Sequence, residues 1–451
     1  MNNEDIIIAE ATPPGAAAIS VIRLSGTNCI EAADRLFSGK VKLSAVPSHT
    51  LHYGRIVGRN AQTIDDVLAS VFREPNSYTG EDSVEISTHG NPLVTATVIN
   101  EFLQMDIRIA EPGEFTKRAF LNGRIDLAQA EAVIELINSR SEAAVRGSRN
   151  QLDGLLSQKI GELRQQLINA VSLVELELDF AEEDLEFIDN SAVIELITGI
   201  KKEISALLAT YRFGRVFREG VNVALVGLPN VGKSSVLNHI LKERRAIVSP
   251  IPGTTRDIIR EDVTIDGVLY RLYDTAGIRN TEDLIEKEGV ERSRKAVRDA
   301  DLVLFINETA HPFDEYLYLE LQEFTSEERI VKVINKSDLP GKVGDQPGSI
   351  RVSALTGEGF EQLFDLMKER AYGGENYTEK SILVSSIRHK SLLEKANIAL
   401  ENAKDSAKQQ MSGEFISVDI RHAINSLGEI IGTVTTDDIL NNIFSKFCIG
   451  K

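Results

Sequence analysis

The sequence predicts a multidomain protein of the α/β plus α class. It has an N-terminal α/β domain, a discontinuous helical bundle, and a second α/β domain inserted into that bundle. Three observations predict it. Apolar spacing changes from short strand-like runs to steps of three and four near residue 119, becomes strand–helix–strand from about 217, and returns to helical spacing after about 379. A chain of 451 residues exceeds what one hydrophobic core holds. An α/β domain with adjacent termini also inserts into a bundle with little disruption. The expected boundaries are 1–118, 119–216, 217–375 and 376–451.

Residues 1–118 mix strands and turns. Ile6-Ile7-Ile8, Ala18 to Ile22 and Val67 to Phe72 read as strands, punctuated by Pro13-Pro14-Gly15 and Gly90-Asn91-Pro92. Val94, Val98 and Phe102 suggest a helix between them. In 119–216, Leu152, Leu155, Leu156, Ile160, Leu163, Leu167, Val171 and Val174 share one helical face, and Val193, Ile194, Ile197, Ile200, Ile204, Leu207 and Leu208 repeat the pattern. Such stripes are the core-facing sides of bundle helices. Asn222 to Val226, Val303 to Ile306 and Ile330 to Ile334 are buried-strand runs of the inserted domain. Helical spacing resumes at Leu392, Leu393, Ala396, Ala399 and Leu400, then at Ala423, Ile424, Leu427, Ile430 and Ile431.

Composition excludes several classes. Hydrophobic content of 42% and charged content of 26% are ordinary for a soluble globular protein. No apolar run reaches the roughly 20 residues of a membrane span. Met1 to Glu10 carries acids where a signal peptide needs a basic region, so a cytoplasmic location is expected. The only cysteines are Cys29 and Cys448, and the seven histidines are scattered, which argues against a disulfide framework and a zinc site. A net charge of −18 argues against a broad nucleic-acid surface, and any RNA should have a second protein holding it.

Gly227-Leu228-Pro229-Asn230-Val231-Gly232-Lys233-Ser234 fits G-x-x-x-x-G-K-[ST] directly after a strand. Backbone N–H groups of such a loop wrap phosphates, and the helix that follows presents its positive end to them. Lys233 is expected on the β/γ-phosphates and Ser234 on Mg²⁺, with Ser235 beside it. Asp274-Thr275-Ala276-Gly277 follows the run Tyr270 to Tyr273, where a carboxylate holds Mg²⁺ through water. Asn335-Lys336-Ser337-Asp338 ends the next strand, and the Asp338 carboxylate suits guanine N1–H and its amine. Ser353-Ala354 supplies a backbone N–H for the guanine oxygen. Between the first two motifs, Ser249-Pro250-Ile251-Pro252-Gly253-Thr254-Thr255-Arg256-Asp257 occupies the place of a switch loop, with Thr255 as second Mg²⁺ ligand. These elements in this order predict a guanine-nucleotide-hydrolysing centre.

Many GTPases place a water-orienting Gln after Asp-Thr-Ala-Gly. Here that position is Ile278, so another group must act, and Glu286 and Glu288 are candidates. Arg256 as an arginine finger is disfavoured, since an exposed switch-loop arginine more often makes ion pairs.

Beyond these motifs the chain resembles the MnmE (TrmE) family of tRNA-modification GTPases over essentially its whole length. The marks are Tyr78-Thr79-Gly80-Glu81-Asp82, Pro112-Gly113-Glu114-Phe115-Thr116-Lys117-Arg118-Ala119-Phe120, Leu121 to Glu131, and the terminal Phe447-Cys448-Ile449-Gly450-Lys451. The resemblance implies a folate-binding N-terminal domain that makes a homodimer, a discontinuous helical domain and an inserted Ras-like G domain. It implies that, with a flavin-dependent partner of the MnmG (GidA) type carrying FAD, the protein installs an aminomethyl or carboxymethylaminomethyl group on C5 of the wobble uridine of certain tRNAs. A tetrahydrofolate derivative, in the 5-formyl or methylene form, supplies the one-carbon unit.

By motif, the resemblance also assigns potassium to Asn230 with the backbone of Ser249, Ile251 and Thr254, a cation standing where an arginine finger would. Two G domains would meet across their nucleotide faces. Glu286 matches the family's water-orienting glutamate, and Arg23, Glu85, Arg124 and Lys451 match folate-pocket positions.

Cys448, read alone, is an inert thiol near a terminus, at the end of a helix expected to begin near Thr436-Asp437-Asp438. A helix C-terminus does not favour a thiolate, so activation needs Lys446 or Lys451. The resemblance makes Cys448 functional, with its role as nucleophile or acid/base open. A competing reading is a regulatory or ribosome-assembly GTPase without modification chemistry, but it requires an RNA-binding appendage, and neither a KH-type G-x-x-G nor a basic tail follows the G domain. Arg140, Arg146 and Arg149 are spaced to share part of a helix surface, and Arg212, Arg215 and Arg218 cluster before the G domain; both sets are expected as solvated faces or interdomain ion pairs.

Overall fold

The structure, a computed structural model, describes residues 5–179, 190–243, 260–274, 294–340, 347–373 and 382–451. It comprises two compact units. One runs to Ile134 and adds Leu152–Ile168 and Ile424–Lys451; the other takes Glu135–Gln151 and Asn169–Ala423.

The first unit is built on a seven-stranded sheet of β1 (Ile6–Glu10), β2 (Ile19–Ser25), β3 (Phe37–Gly39), β4 (Thr50–Val57), β5 (Thr63–Phe72), β6 (Ser83–His89) and β7 (Ile107–Ile109), in the order β3-β4-β5-β6-β2-β1-β7. Only the β1–β7 pair is parallel. β5 begins four residues before the expected Val67, because its outer end alternates exposed Thr63 and Asp66 with partly covered neighbours and lacks an apolar signature. α1 (Cys29–Asp34) and α2 (Pro92–Leu103) cover the core of Ile22, Leu24, Val84, Ile86, Val98 and Phe102. Asn91 caps α2 by accepting the Leu93 N–H at 2.9 Å, and Pro92 occupies a position whose N–H the helix does not use. α3 (Glu114–Leu121) then leads into α4 (Leu127–Asn138), whose Leu127 and Ala130 pack with Leu440, Ile443, Phe444 and Phe447.

α5 (Glu142–Leu152) and α6 (Leu155–Asp179) correct two expectations. Leu152 closes α5 instead of opening the long stripe, because Gly154 turns left-handed (φ 87°) and breaks the helix there. Arg140 precedes α5, so it does not share that helix's surface with Arg146 and Arg149.

In the second unit, α7 (Asn190–Ala209) and α8 (Tyr211–Glu219) lead into β8 (Val221–Val226). The glycine loop and α9 (Lys233–Glu243) follow, then β9 (Arg260–Ile265), β10 (Val268–Asp274), β11 (Leu302–Glu308), α10 (Glu315–Phe324), β12 (Ile330–Asn335), β13 (Ser349–Arg351) and α11 (Phe360–Tyr372). The sheet order is β13-β12-β11-β8-β10-β9, parallel except at the β9 edge. β8 and β11 are apolar almost throughout because helices cover both faces, as a parallel sheet requires. α12 (Ile387–Lys408) and α13 (Gly413–Ile431) return the helical spacing, and α12 packs along α7.

The last helix, α14 (Asp437–Phe444), starts where expected: Thr436 accepts the Ile439 N–H at 3.4 Å and two acids follow. It stops earlier than expected. Cys448 does not end the helix but lies in the turn beyond it. The Pro112-Gly113 turn packs against the Phe444 carbonyl, where a Cβ on Gly113 would come within 2.6 Å, and the Gly113 N–H donates to the Cys448 carbonyl at 3.4 Å. Among the described residues no helix is long and apolar enough to cross a membrane.

Candidate functional sites

The nucleotide motifs converge at the carboxyl ends of the parallel strands, where open α/β sheets bind ligands. Gly227 follows β8 with its Cα against β11: an added Cβ would lie 2.1 Å from the Ile306 carbonyl oxygen. The loop then needs left-handed backbone at Asn230 (φ 66°) and Gly232 (φ 92°) before α9 begins at Lys233. Lys233 Nζ donates to the carbonyls of Gly227 and Leu228 at 2.9 and 3.0 Å, so the ammonium already lies across the mouth of the loop. Burial pushes its pKa down, opposed by the Asp274 carboxylate, and the group needs an anion to complete its surroundings.

Ser234 Oγ donates to Asp274 Oδ2 at 3.1 Å. The other oxygen, Asp274 Oδ1, is buried without a hydrogen-bond partner. A hydroxyl and a half-satisfied carboxylate beside a phosphate loop fit Mg²⁺, an oxygen-seeking cation that keeps waters. Ser234 would hold it directly and Asp274 through water.

At the other end of the loop, Asn335 is 1% exposed. Its Nδ2 donates to the Val231 carbonyl at 3.0 Å, and its Oδ1 accepts the Ala354 N–H at 3.2 Å. Ser353 Oγ donates to Asp338 Oδ1 at 2.6 Å, which holds an otherwise exposed carboxylate in place. The Ser353 N–H goes to Glu358 O at 2.9 Å. The N–H groups of Ser353 and Ala354 thus both donate to groups of the protein in this structure. Lys336 Nζ reaches the Asn230 carbonyl at 2.9 Å and pairs with Glu308. Nothing in the local pattern of Glu308 marks it, since the pairing of β11 with β12 brings it to Lys336.

Ser249, Pro250, Ile251, Pro252, Gly253, Thr254, Thr255, Arg256, Thr275, Ala276, Gly277, Ile278, Glu286 and Glu288 lie outside the described residues.

A second cluster sits in the first unit. Arg23 on β2 faces Glu85 on β6, with Nε 2.8 Å and Nη2 2.7 Å from Oε1. Its guanidinium lies 5.1 Å from the Tyr78 ring centroid and 5.6 Å from that of Phe115. Its Nη1 is buried with no partner. Tyr78 is braced by Thr116 at 2.8 Å, and burial raises its phenol pKa. Burial lowers the Lys451 ammonium pKa, the Arg23 charge acts the same way and the Glu85 carboxylate opposes them. Gly450 lets the chain end approach β1, since an added Cβ would lie 2.2 Å from the Glu10 carbonyl. Arg124 Nε donates to the Ser77 carbonyl at 3.1 Å, next to Tyr78. The orphaned Nη1 and the paired aromatic rings fit a flat, acceptor-rich heterocycle such as a pterin. Cys448 itself is exposed. Tyr78 and Phe115 lie inside recognised motifs, yet only the fold reveals them as the walls around Arg23.

A glycine loop after a buried strand, with Lys233, Ser234 and Asp274 at one end and Asn335, Lys336 and Asp338 at the other, defines a P-loop GTPase. The profile described as "MnmE helical domain" matches residues 127–448, and that described as "GTP-binding protein TrmE N-terminus" matches residues 6–124. The tRNA modification GTPase MnmE of Enterococcus faecalis is 42% identical over 460 residues, 99% of this chain and 98% of its own. The protein of the same name from Staphylococcus epidermidis is 41% identical over 461 residues, 99% of each chain. The chain belongs to the MnmE (TrmE) family of tRNA-modification GTPases.

Proposed function

We propose that the protein is a potassium-activated GTPase that works with a flavin-dependent partner to modify C5 of the wobble uridine of certain tRNAs, drawing a one-carbon unit from a reduced folate. The observation that carries the reading is the convergence of Lys233, Ser234 and Asp274 on one phosphate site. Family membership supports the tRNA substrate. The protein acts in the cytoplasm as a homodimer joined through residues 1–118, with the helical parts 119–216 and 376–451 flanking the G domain 217–375.

In hydrolysis, loop N–H groups and Lys233 bind the β/γ-phosphates, and Ser234 with Thr255 would hold Mg²⁺, which would neutralise phosphate charge. Asn230, with the backbone of Ser249, Ile251 and Thr254, would hold potassium, which would supply positive charge to the phosphates in the transition state. Glu286 orients the attacking water. Asp338 selects guanine by accepting from N1–H and the exocyclic amine. In the first unit Arg23, Glu85, Arg124 and Lys451 bind the folate and orient it toward Cys448, which acts as nucleophile or acid/base. Residues 1–118 do not include Arg124 and Lys451, so the pocket needs the intact chain.

The test is GTP turnover in matched KCl and NaCl, together with binding of 5-formyltetrahydrofolate to the whole protein. Faster turnover in potassium and saturable folate binding that is lost in Arg23→Ala are expected. Equal turnover in both salts with no folate binding would refute the proposal.

A further inference from the structure

We propose that His239 is a positioning residue for guanine recognition, acting on Asp338 through the turn 353–359; this rests on the reading above that Asp338 selects the base. His239 lies on α9, the helix that Lys233 opens, with its side chain 13% exposed. Its imidazole lies over the ring of Phe360, the first residue of α11, with centroids 4.1 Å apart and planes at 33°. Nε2 passes Glu243 Oε1 at 3.2 Å but is buried without a hydrogen-bond partner. A buried nitrogen left unpaired destabilises a fold, so what the ring contributes here is its shape. The edge of the ring backs the turn. A Cβ added to Gly357 (φ 86°) would lie 3.1 Å from His239 Cε1 and 3.4 Å from Nε2.

The turn that His239 backs is closed on Ser353. The Gly357 N–H donates to the Ser353 carbonyl at 2.8 Å, and the Ser353 N–H donates to the Glu358 carbonyl at 2.9 Å. Ser353 Oγ accepts the Thr356 N–H at 3.2 Å and itself donates to Asp338 Oδ1 at 2.6 Å. One residue therefore links the backbone against the imidazole to the carboxylate that would read the base. Close-packed groups pass a displacement on to their neighbours. Without the ring, Gly357 and Glu358 gain room to shift, and the bonds that aim Ser353 Oγ slacken. Asp338 then loses the fixed orientation that two parallel hydrogen bonds to one base require.

The experiment measures, by calorimetry with Mg²⁺ present, the dissociation constants of GDP and IDP for the full-length wild type, His239→Ala, His239→Gln and His239→Phe. Hypoxanthine lacks the exocyclic amine of guanine, whereas the diphosphates are identical. The ratio of the two constants therefore reports on Asp338 and cancels any change at the phosphate loop. The wild type should prefer GDP by at least about 10-fold, the scale of a hydrogen bond to a charged group. His239→Ala should lower that preference at least about threefold, the scale of coupling within one packed network. His239→Phe, which keeps a ring over Phe360, should stay within about twofold of the wild-type preference. If His239→Ala gives no cooperative thermal unfolding, His239→Gln carries the comparison, since it keeps length without the ring and should lose preference in the same direction. An unchanged preference in the ringless variant overturns the inference, including the case in which both constants rise by a common factor, as a merely structural role would give. A His239→Phe protein that loses as much preference as the ringless variant also overturns it. A wild type that binds GDP and IDP equally refutes the base reading and this inference with it.

Discussion

Gly232 shows how tightly single atoms bound the nucleotide loop. Its backbone is left-handed (φ 92°), and an added Cβ would sit 2.3 Å from Asn335 Nδ2. Gly232→Ala should therefore break the Asn335–Val231 bond and weaken GTP binding by about 100-fold, the scale of lost preorganised contacts. A fluorescent-nucleotide titration measures it. Asp338→Asn should move base preference from guanine to xanthine, because the new amide donates where the carboxylate accepted; competition between GTP and XTP decides it. Both residues were legible in the sequence, since loop and base motifs are defined by local spacing. Glu308 was not: its partner Lys336 stands 28 positions away, and only the pairing of β11 with β12 brings them together. Arg23 needed Tyr78 and Phe115 from two other segments in the same way.

Among the elements, α3 is held by charge as much as by apolar packing. Arg118, with its side chain 4% exposed, donates to Asp5 Oδ1 at 2.5 Å, to Glu114 Oε1 at 3.1 Å and to Glu81 at 3.3 Å. Arg118→Met leaves these carboxylates without their shared cation and should cost about 3–5 kcal/mol, measured by urea unfolding. The network also sets an acid limit. Burial alone would raise the Glu114 pKa, but hydrogen bonds from Arg108 and Arg118 outweigh it and hold it below the usual range; Asp5 behaves likewise. A carboxylate whose pKa is lowered by folding contributes fully above its unfolded value of about 4 and loses that contribution as pH falls through the lower folded value. Stability of the wild type should thus drop below about pH 4, and the drop should be shallower in Arg118→Met. The element pattern was legible where apolar spacing carried it, as in α6, β8 and β11. It failed at Gly154 and after Phe444, where a backbone turn or a distant Gly113 ends a helix that periodicity alone would continue.

Across the whole molecule, a net charge of −18 has to coexist with an RNA substrate. Four of the six arginines in the two clusters are engaged by other groups of the protein, while Arg146 and Arg149 are exposed. Arg215 pairs with Asp301 at 2.6 Å, Arg218 with Glu135 at 3.1 Å and Arg140 with Asp262 at 3.3 Å, while Arg212 binds the carbonyls of Arg370 and Ala371. Substituting Arg215 or Arg218 by Ala should lower stability and leave the tRNA dissociation constant within about twofold, because no phosphate contact is removed. Filter binding should find tRNA held more tightly by the complex with the flavin partner than by this chain alone. The central claim is that GTP hydrolysis and the folate pocket serve wobble-uridine chemistry. It is tested most directly by mass spectrometry of tRNA nucleosides from a deletion strain carrying wild-type, Lys233→Ala or Arg23→Ala protein. The C5-modified uridines should vanish on deletion and return only with the wild type; an unchanged nucleoside profile on deletion would contradict the account and favour a GTPase that acts by binding alone.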